Sequence, residues 1–76
     1  MNLLDQVRQV IAETINLPEA DINELSSTET LDKWDSLAQV NLMMAIEQAF
    51  DLELEVEDFV ELNSVRKIVE FINTSA

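Results

Sequence analysis

Trp34-Asp35-Ser36-Leu37-Ala38-Gln39-Val40-Asn41-Leu42-Met43-Met44-Ala45-Ile46-Glu47-Gln48-Ala49-Phe50 is the stretch whose reading decides the fold. Asp35 or Ser36 can cap a helix, and no glycine or proline interrupts the run from Ser36 to Phe50. Projected at about 100° per residue, Leu42, Met43, Ile46 and Phe50 form one broad apolar face. Leu37, Val40 and Met44 form a second, bordered by Asn41, Glu47 and Gln48. If the first face packs inward, the second is a small apolar patch with a polar rim, the pattern of a docking surface. The alternative is a helix buried on both sides in a small bundle. Ser36 also has two readings. It is a plain helix cap or, at the exposed end of a helix, a point of covalent attachment.

Upstream, Asn2 is a plausible cap for a first helix in which Leu4, Val7, Ile11 and Ile15 recur at helical spacing. Pro18 stops it near Asn16-Leu17, because the residue before a proline disfavours helix. Residues 17–35 show no sustained period; Leu17, Ile22, Leu25, Leu31 and Trp34 suggest a long loop pinned to the core, with a short helical turn around Asp21 to Leu25. Unstructured loops of this length in small domains are commonly functional. Downstream, Asp51 to Glu55 alternates acid with leucine, but a lone strand would have no partner in so short a chain. Residues 56–62 read as a short third helix. Asn63 or Ser64 then caps a last one, with Val65, Ile68, Val69 and Ile72 on one face and Phe71 alongside. Arg66 and Lys67 sit at its dipole-unfavourable end and call for nearby acids, and Asn73 to Ala76 should fray. With no glycine in the chain, Asn16 and Asn63 are the candidates for helix junctions. The sum is one all-α domain over residues 1–76: three longer helices, one short third helix, and a long loop between the first two.

The totals narrow the function. Hydrophobic residues make up 47% of the 76, enough for a modest core despite a net charge of −12 from sixteen acids and four bases. Nucleic acid and anionic membrane surfaces are poor partners for such a charge, whereas a protein with a basic patch would be steered toward it. The bland alternative is a solubilising charge. No run of about 18 apolar residues is present to enter a membrane, and Met1 to Asp5 lacks the basic and apolar regions of a signal peptide. A cytoplasmic monomer is the expectation.

With no histidine and no cysteine, the common nucleophile–base pairs cannot be built, so the chain is read as something other than an enzyme. A Ser36–Lys33 dyad would lie at a loop–helix junction without an evident pocket. The acidic run 51–62 fails as a calcium loop, because Val56 and Leu62 stand where glycine and glutamate are required. No metal site is expected beyond weak, non-specific binding of divalent cations.

Asp35-Ser36-Leu37, the helix that follows and Glu47-Gln48-Ala49-Phe50-Asp51 together resemble the acyl carrier proteins. Length, acidity, the long first loop and the closing Ser64-Val65 to Phe71-Ile72 helix extend the resemblance over nearly the whole chain. It implies a four-helix bundle of acyl-carrier type, with 4′-phosphopantetheine attached to Ser36 by a phosphopantetheinyl transferase and Asp35 and Leu37 as motif flanks. Acyl groups would ride on the arm's thiol as thioesters. Leu37, Val40, Asn41, Met44 and Glu47 would meet acyltransferase, ligase or synthase enzymes bearing basic patches. Fatty acid and polyketide synthesis are the implied settings; a peptidyl, aryl or D-alanyl carrier is the alternative, and an unmodified acidic adaptor the alternative of another class. Trp34 stands where fatty-acid carriers commonly have a small residue, Ala38 replaces a common aspartate, and Asn41 and Gln48 replace common glutamates. Phe59 and Ile68 are bulkier than the alanines frequent there, so the interior should accept long acyl chains less readily. Trp-Asp-Ser-Leu resembles instead the stand-alone carriers of specialised pathways.

Overall fold

The computed structural model describes residues 2–75, and they form four α-helices with no strand among them. Helix α1 runs Leu3–Ile15, α2 Ser36–Phe50, α3 Asp58–Glu61 and α4 Val65–Ser75. α1 packs against both α2 and α4, and α3 lies against α2. Val7, Ile11 and Ile15 of α1 meet Leu42, Met43 and Ile46 of α2 and Val65, Ile68 and Ile72 of α4 in one core. These are the inward stripes expected from helical spacing.

The helix ends follow from side-chain chemistry. Asn2 Oδ1 accepts the Asp5 N–H at 2.8 Å and starts α1, and Ser64 Oγ accepts the Lys67 N–H at 3.2 Å and starts α4. Without glycine, the left-handed residue that closes a helix must come from elsewhere. Asn16 ends α1 at φ 61° and Asp51 ends α2 at φ 54°. Asn63, expected in such a role, has no positive φ; its carbonyl instead accepts the Thr28 N–H at 3.0 Å.

The loop between α1 and α2 is pinned, though not wholly as expected. Ile22 and Trp34 are buried, and Leu17 and Leu31 are half-buried. Leu25 is 71% exposed. A turn through Asn23–Ser26, in which Asn23 Oδ1 accepts the Leu25 N–H and Ser26 Oγ accepts the Asn23 N–H, buries Ser26 in its place. The helical turn expected at Asp21 to Leu25 falls instead at Glu19–Asp21, directly after Pro18. Arg8 fixes it there: Nε donates to the Ile22 carbonyl at 2.6 Å and Nη2 to the Glu19 carbonyl at 2.8 Å. Farther on, the Val65 N–H donates to the Ser26 carbonyl and the Thr28 N–H to the Asn63 carbonyl, tying the loop to the α3–α4 junction.

Three further expectations change. α3 spans only Asp58–Glu61 of the expected residues 56–62, preceded by a turn in which Asp58 Oδ2 accepts the Glu55 N–H at 2.9 Å. Arg66 and Lys67 are exposed and make no ion pair among the described residues, where Arg8–Asp5 at 3.3 Å is the one found. α4 holds through Ser75 rather than fraying from Asn73, while Ala76 lies outside the described residues.

Candidate functional site

Ser36 is the first residue of α2, not its cap. Asp35 is the cap: its Oδ1 accepts the Ala38 N–H at 2.9 Å, and its carbonyl accepts the Gln39 N–H at 2.8 Å. The serine side chain is thereby spared local capping and lies exposed. The earliest N–H groups of a helix have no partner within it, so the surroundings of Ser36 favour a negatively charged group.

Beside Ser36 opens a cleft of about 570 Å³, lined chiefly by Trp34, Asp35, Gln39, Val40, Phe59 and Val60. Sequence reasoning had no pocket here, because one wall comes from α3, far along the chain. Lys33 is not part of that lining; its Nζ is 3.5 Å from the Asn16 carbonyl.

Trp34 is 1% exposed, and its Nε1 donates to Gln39 Oε1 at 2.6 Å. Gln39 is 7% exposed and spends both amide hydrogens across the helix interface, on the Phe59 carbonyl at 3.1 Å and the Leu62 carbonyl at 2.8 Å. This amide closes the C-terminal end of α3 and fixes it to α2 next to Ser36. Gln39 was missed as a site residue. Its signal was available: positions 39, 42, 43, 46 and 50 continue one inward stripe, and a polar residue on such a stripe needs buried partners.

Along α2 the second stripe faces solvent. Leu37 is 72% exposed, and Val40, Asn41 and Met44 are exposed as well. Val60 of α3, not anticipated, adds to the apolar surface across the cleft from Val40. Glu47 is half-buried, and its Oε2 accepts the Leu54 N–H at 3.0 Å, so part of its hydrogen-bonding capacity serves the fold. The reading of α2 as buried on both sides is set aside. One stripe is core and the other is surface.

The sequence that builds this arrangement has known relatives. A family model described as a phosphopantetheine attachment site matches residues 5–72. An acyl carrier protein of Buchnera aphidicola subsp. Schizaphis graminum (strain Sg) is 37% identical over 73 residues, covering 95% of this chain and 91% of that one. The chain belongs to the acyl carrier protein family. The cofactor of this acyl carrier protein is accordingly 4′-phosphopantetheine. The residues at the start of α2 fit such a group: an exposed hydroxyl, the Ser36 and Leu37 N–H groups ahead of the Ala38 N–H that Asp35 caps, and a cleft alongside. Among the described residues no helix is long and apolar enough to cross a membrane.

Proposed function

We propose that Ser36 is the attachment residue and that this carrier presents acyl intermediates to partner enzymes without catalysing a step itself. The observation that carries the reading is the exposed Ser36 hydroxyl at the first position of α2, spared from capping by Asp35. The prosthetic group supplies a terminal thiol that holds an acyl group as a thioester, a function this cysteine-free chain cannot provide from its own side chains. Ser36 Oγ would form the phosphodiester, and the Ser36 and Leu37 backbone N–H groups with the α2 dipole would stabilise its negative charge. Asp35 would hold that first turn in place through its bond to Ala38.

Leu37, Val40, Asn41 and Met44, with Glu47 at their border, are the proposed docking surface for a phosphopantetheinyl transferase and for acyltransferase, ligase or synthase enzymes. Exposure of the apolar stripe supports this, and the net charge of −12 favours partners with basic patches. The residues 1–76 are proposed to act as a single monomeric carrier domain in the cytoplasm.

Among pathways, we favour a specialised stand-alone role over housekeeping fatty-acid synthesis. Asn41 and Gln48, exposed on α2, are uncharged, so the docking helix is less acidic than the chain as a whole. Incubating the pantetheinylated protein with adenylating and acyl-transferring enzymes of each class, and reading thioester formation by intact mass, tests the assignment. Loading by an aminoacyl- or aryl-adenylating enzyme alone would make it a peptidyl, aryl or D-alanyl carrier. Partner binding unchanged in Ser36→Ala, with no pantetheine ever attached, would make it an adaptor.

A further inference from the structure

We propose that Trp34 and Gln39 form a latch that bars the interior of this carrier to long aliphatic cargo, so that its acyl group is short and remains in the surface cleft. The inference rests on Ser36 being the attachment residue.

An alkyl chain tethered beside the cleft gains by leaving water, and the gain grows with each methylene. The nearest apolar volume is the core, where Leu42, Met43, Ile46 and Ile68 are fully buried. Trp34 and Gln39 stand at the boundary. Both line the cleft, and both are buried on their other side. The Gln39 amide accepts from the Trp34 indole and donates to the Phe59 and Leu62 carbonyls, using both of its hydrogens. A chain sliding between α2 and α3 must displace this amide. Three hydrogen bonds break together, and an indole N–H and two carbonyls are left facing hydrocarbon. The loss is complete at the first step. Behind the amide a chain meets fully buried core side chains that must themselves be displaced, so the gain per methylene is offset by the cost of repacking them.

The cleft favours a different cargo. Val40, Phe59 and Val60 offer apolar contact, while Thr28, Asp35 and Asn63 offer hydrogen-bonding groups on the same lining. A short acyl group, polar substituents included, is satisfied there.

The test attaches butyryl- and dodecanoyl-pantetheine from the corresponding coenzyme A thioesters, confirms each by intact mass, and compares NMR spectra of the two forms. In the native sequence both cargos should shift Val40, Phe59 and Val60 while leaving the Leu42, Ile46 and Ile68 methyls unmoved. In Gln39→Ala the dodecanoyl group alone should shift the Ile46 and Ile68 methyls. Should that variant not fold, Gln39→Met, which keeps the length without the hydrogen bonds, should show the same shifts more weakly. Core methyls displaced by dodecanoyl in the native sequence overturn the latch, as does a folded Gln39 variant that still keeps the chain outside. Absence of any mass gain overturns the attachment reading and the latch together; a mass gain followed by native core shifts overturns the latch alone.

Discussion

Replacing Gln39 by leucine keeps roughly the same bulk and removes the one amide that joins Trp34 to α3. The Trp34 indole N–H, on a residue 1% exposed, and the carbonyl of buried Leu62 are left without partners. Each stranded buried group costs about 1–3 kcal/mol, so the pair costs about 2–6 kcal/mol. The Phe59 carbonyl borders the cleft and can recover a bond from water. Burying leucine in place of an amide returns about 1 kcal/mol. The net loss is about 3 kcal/mol, against a total stability of roughly 4–11 kcal/mol for a 76-residue domain. In a domain of this size such a loss lowers Tm by roughly 12–24 °C. Urea denaturation followed by far-UV circular dichroism measures it directly. Trp34→Phe removes the other half of the indole–amide bond, so the double variant should be less destabilised than the sum of the singles by about 1 kcal/mol. A loss under about 0.5 kcal/mol for Gln39→Leu, or strict additivity in the double variant, would refute the latch as a structural element.

Three further outcomes follow from the same geometry. Asp51→Gly should stabilise the fold by about 0.5–1 kcal/mol, since it relieves a left-handed residue at φ 54° and removes an acid from the dipole-unfavourable end of α2; the urea midpoint reports it. Arg8→Lys should lose about 1–2 kcal/mol, because an ammonium cannot reproduce the fork that holds the Ile22 and Glu19 carbonyls together; hydrogen exchange should rise at the Asp21 and Ile22 amides. Val40→Ala with Met44→Ala should change stability by about 1 kcal/mol or less, since both residues are close to half exposed and neither belongs to the buried core, yet raise KM for the transferase or acyl-transfer partner with kcat little changed.

What was legible in the sequence, and what was not, divides along physical lines. Helical periodicity located α1, α2 and α4, because Val7, Ile11, Ile15, Leu42, Met43, Ile46 and Ile68 bury one face of each and that requirement is written in their spacing. Ser36 was visible as a residue of interest, but which of two neighbours caps α2 is settled by a rotamer, not by a pattern. Asp35 reaches the Ala38 N–H and leaves the serine outside the cap. The loop was harder for a different reason. Its conformation depends on Arg8, a surface-type residue of α1 whose guanidinium finds carbonyls 11 and 14 residues away. Leu25 misled because burial was inferred from hydrophobicity alone, while the local hydrogen bonds of Asn23 and Ser26 turned it outward. The cleft was illegible for the same non-local reason, α3 supplying Phe59 and Val60 to a site that begins at Trp34.

The central claim is that Ser36 carries the prosthetic group, and intact-mass spectrometry tests it most directly. After incubation with coenzyme A and a broad-specificity phosphopantetheinyl transferase, the native chain should gain about 340 Da once, on a fragment containing Ser36, and Ser36→Ala should gain nothing. No gain in the native chain, or the same gain in Ser36→Ala, would contradict the account.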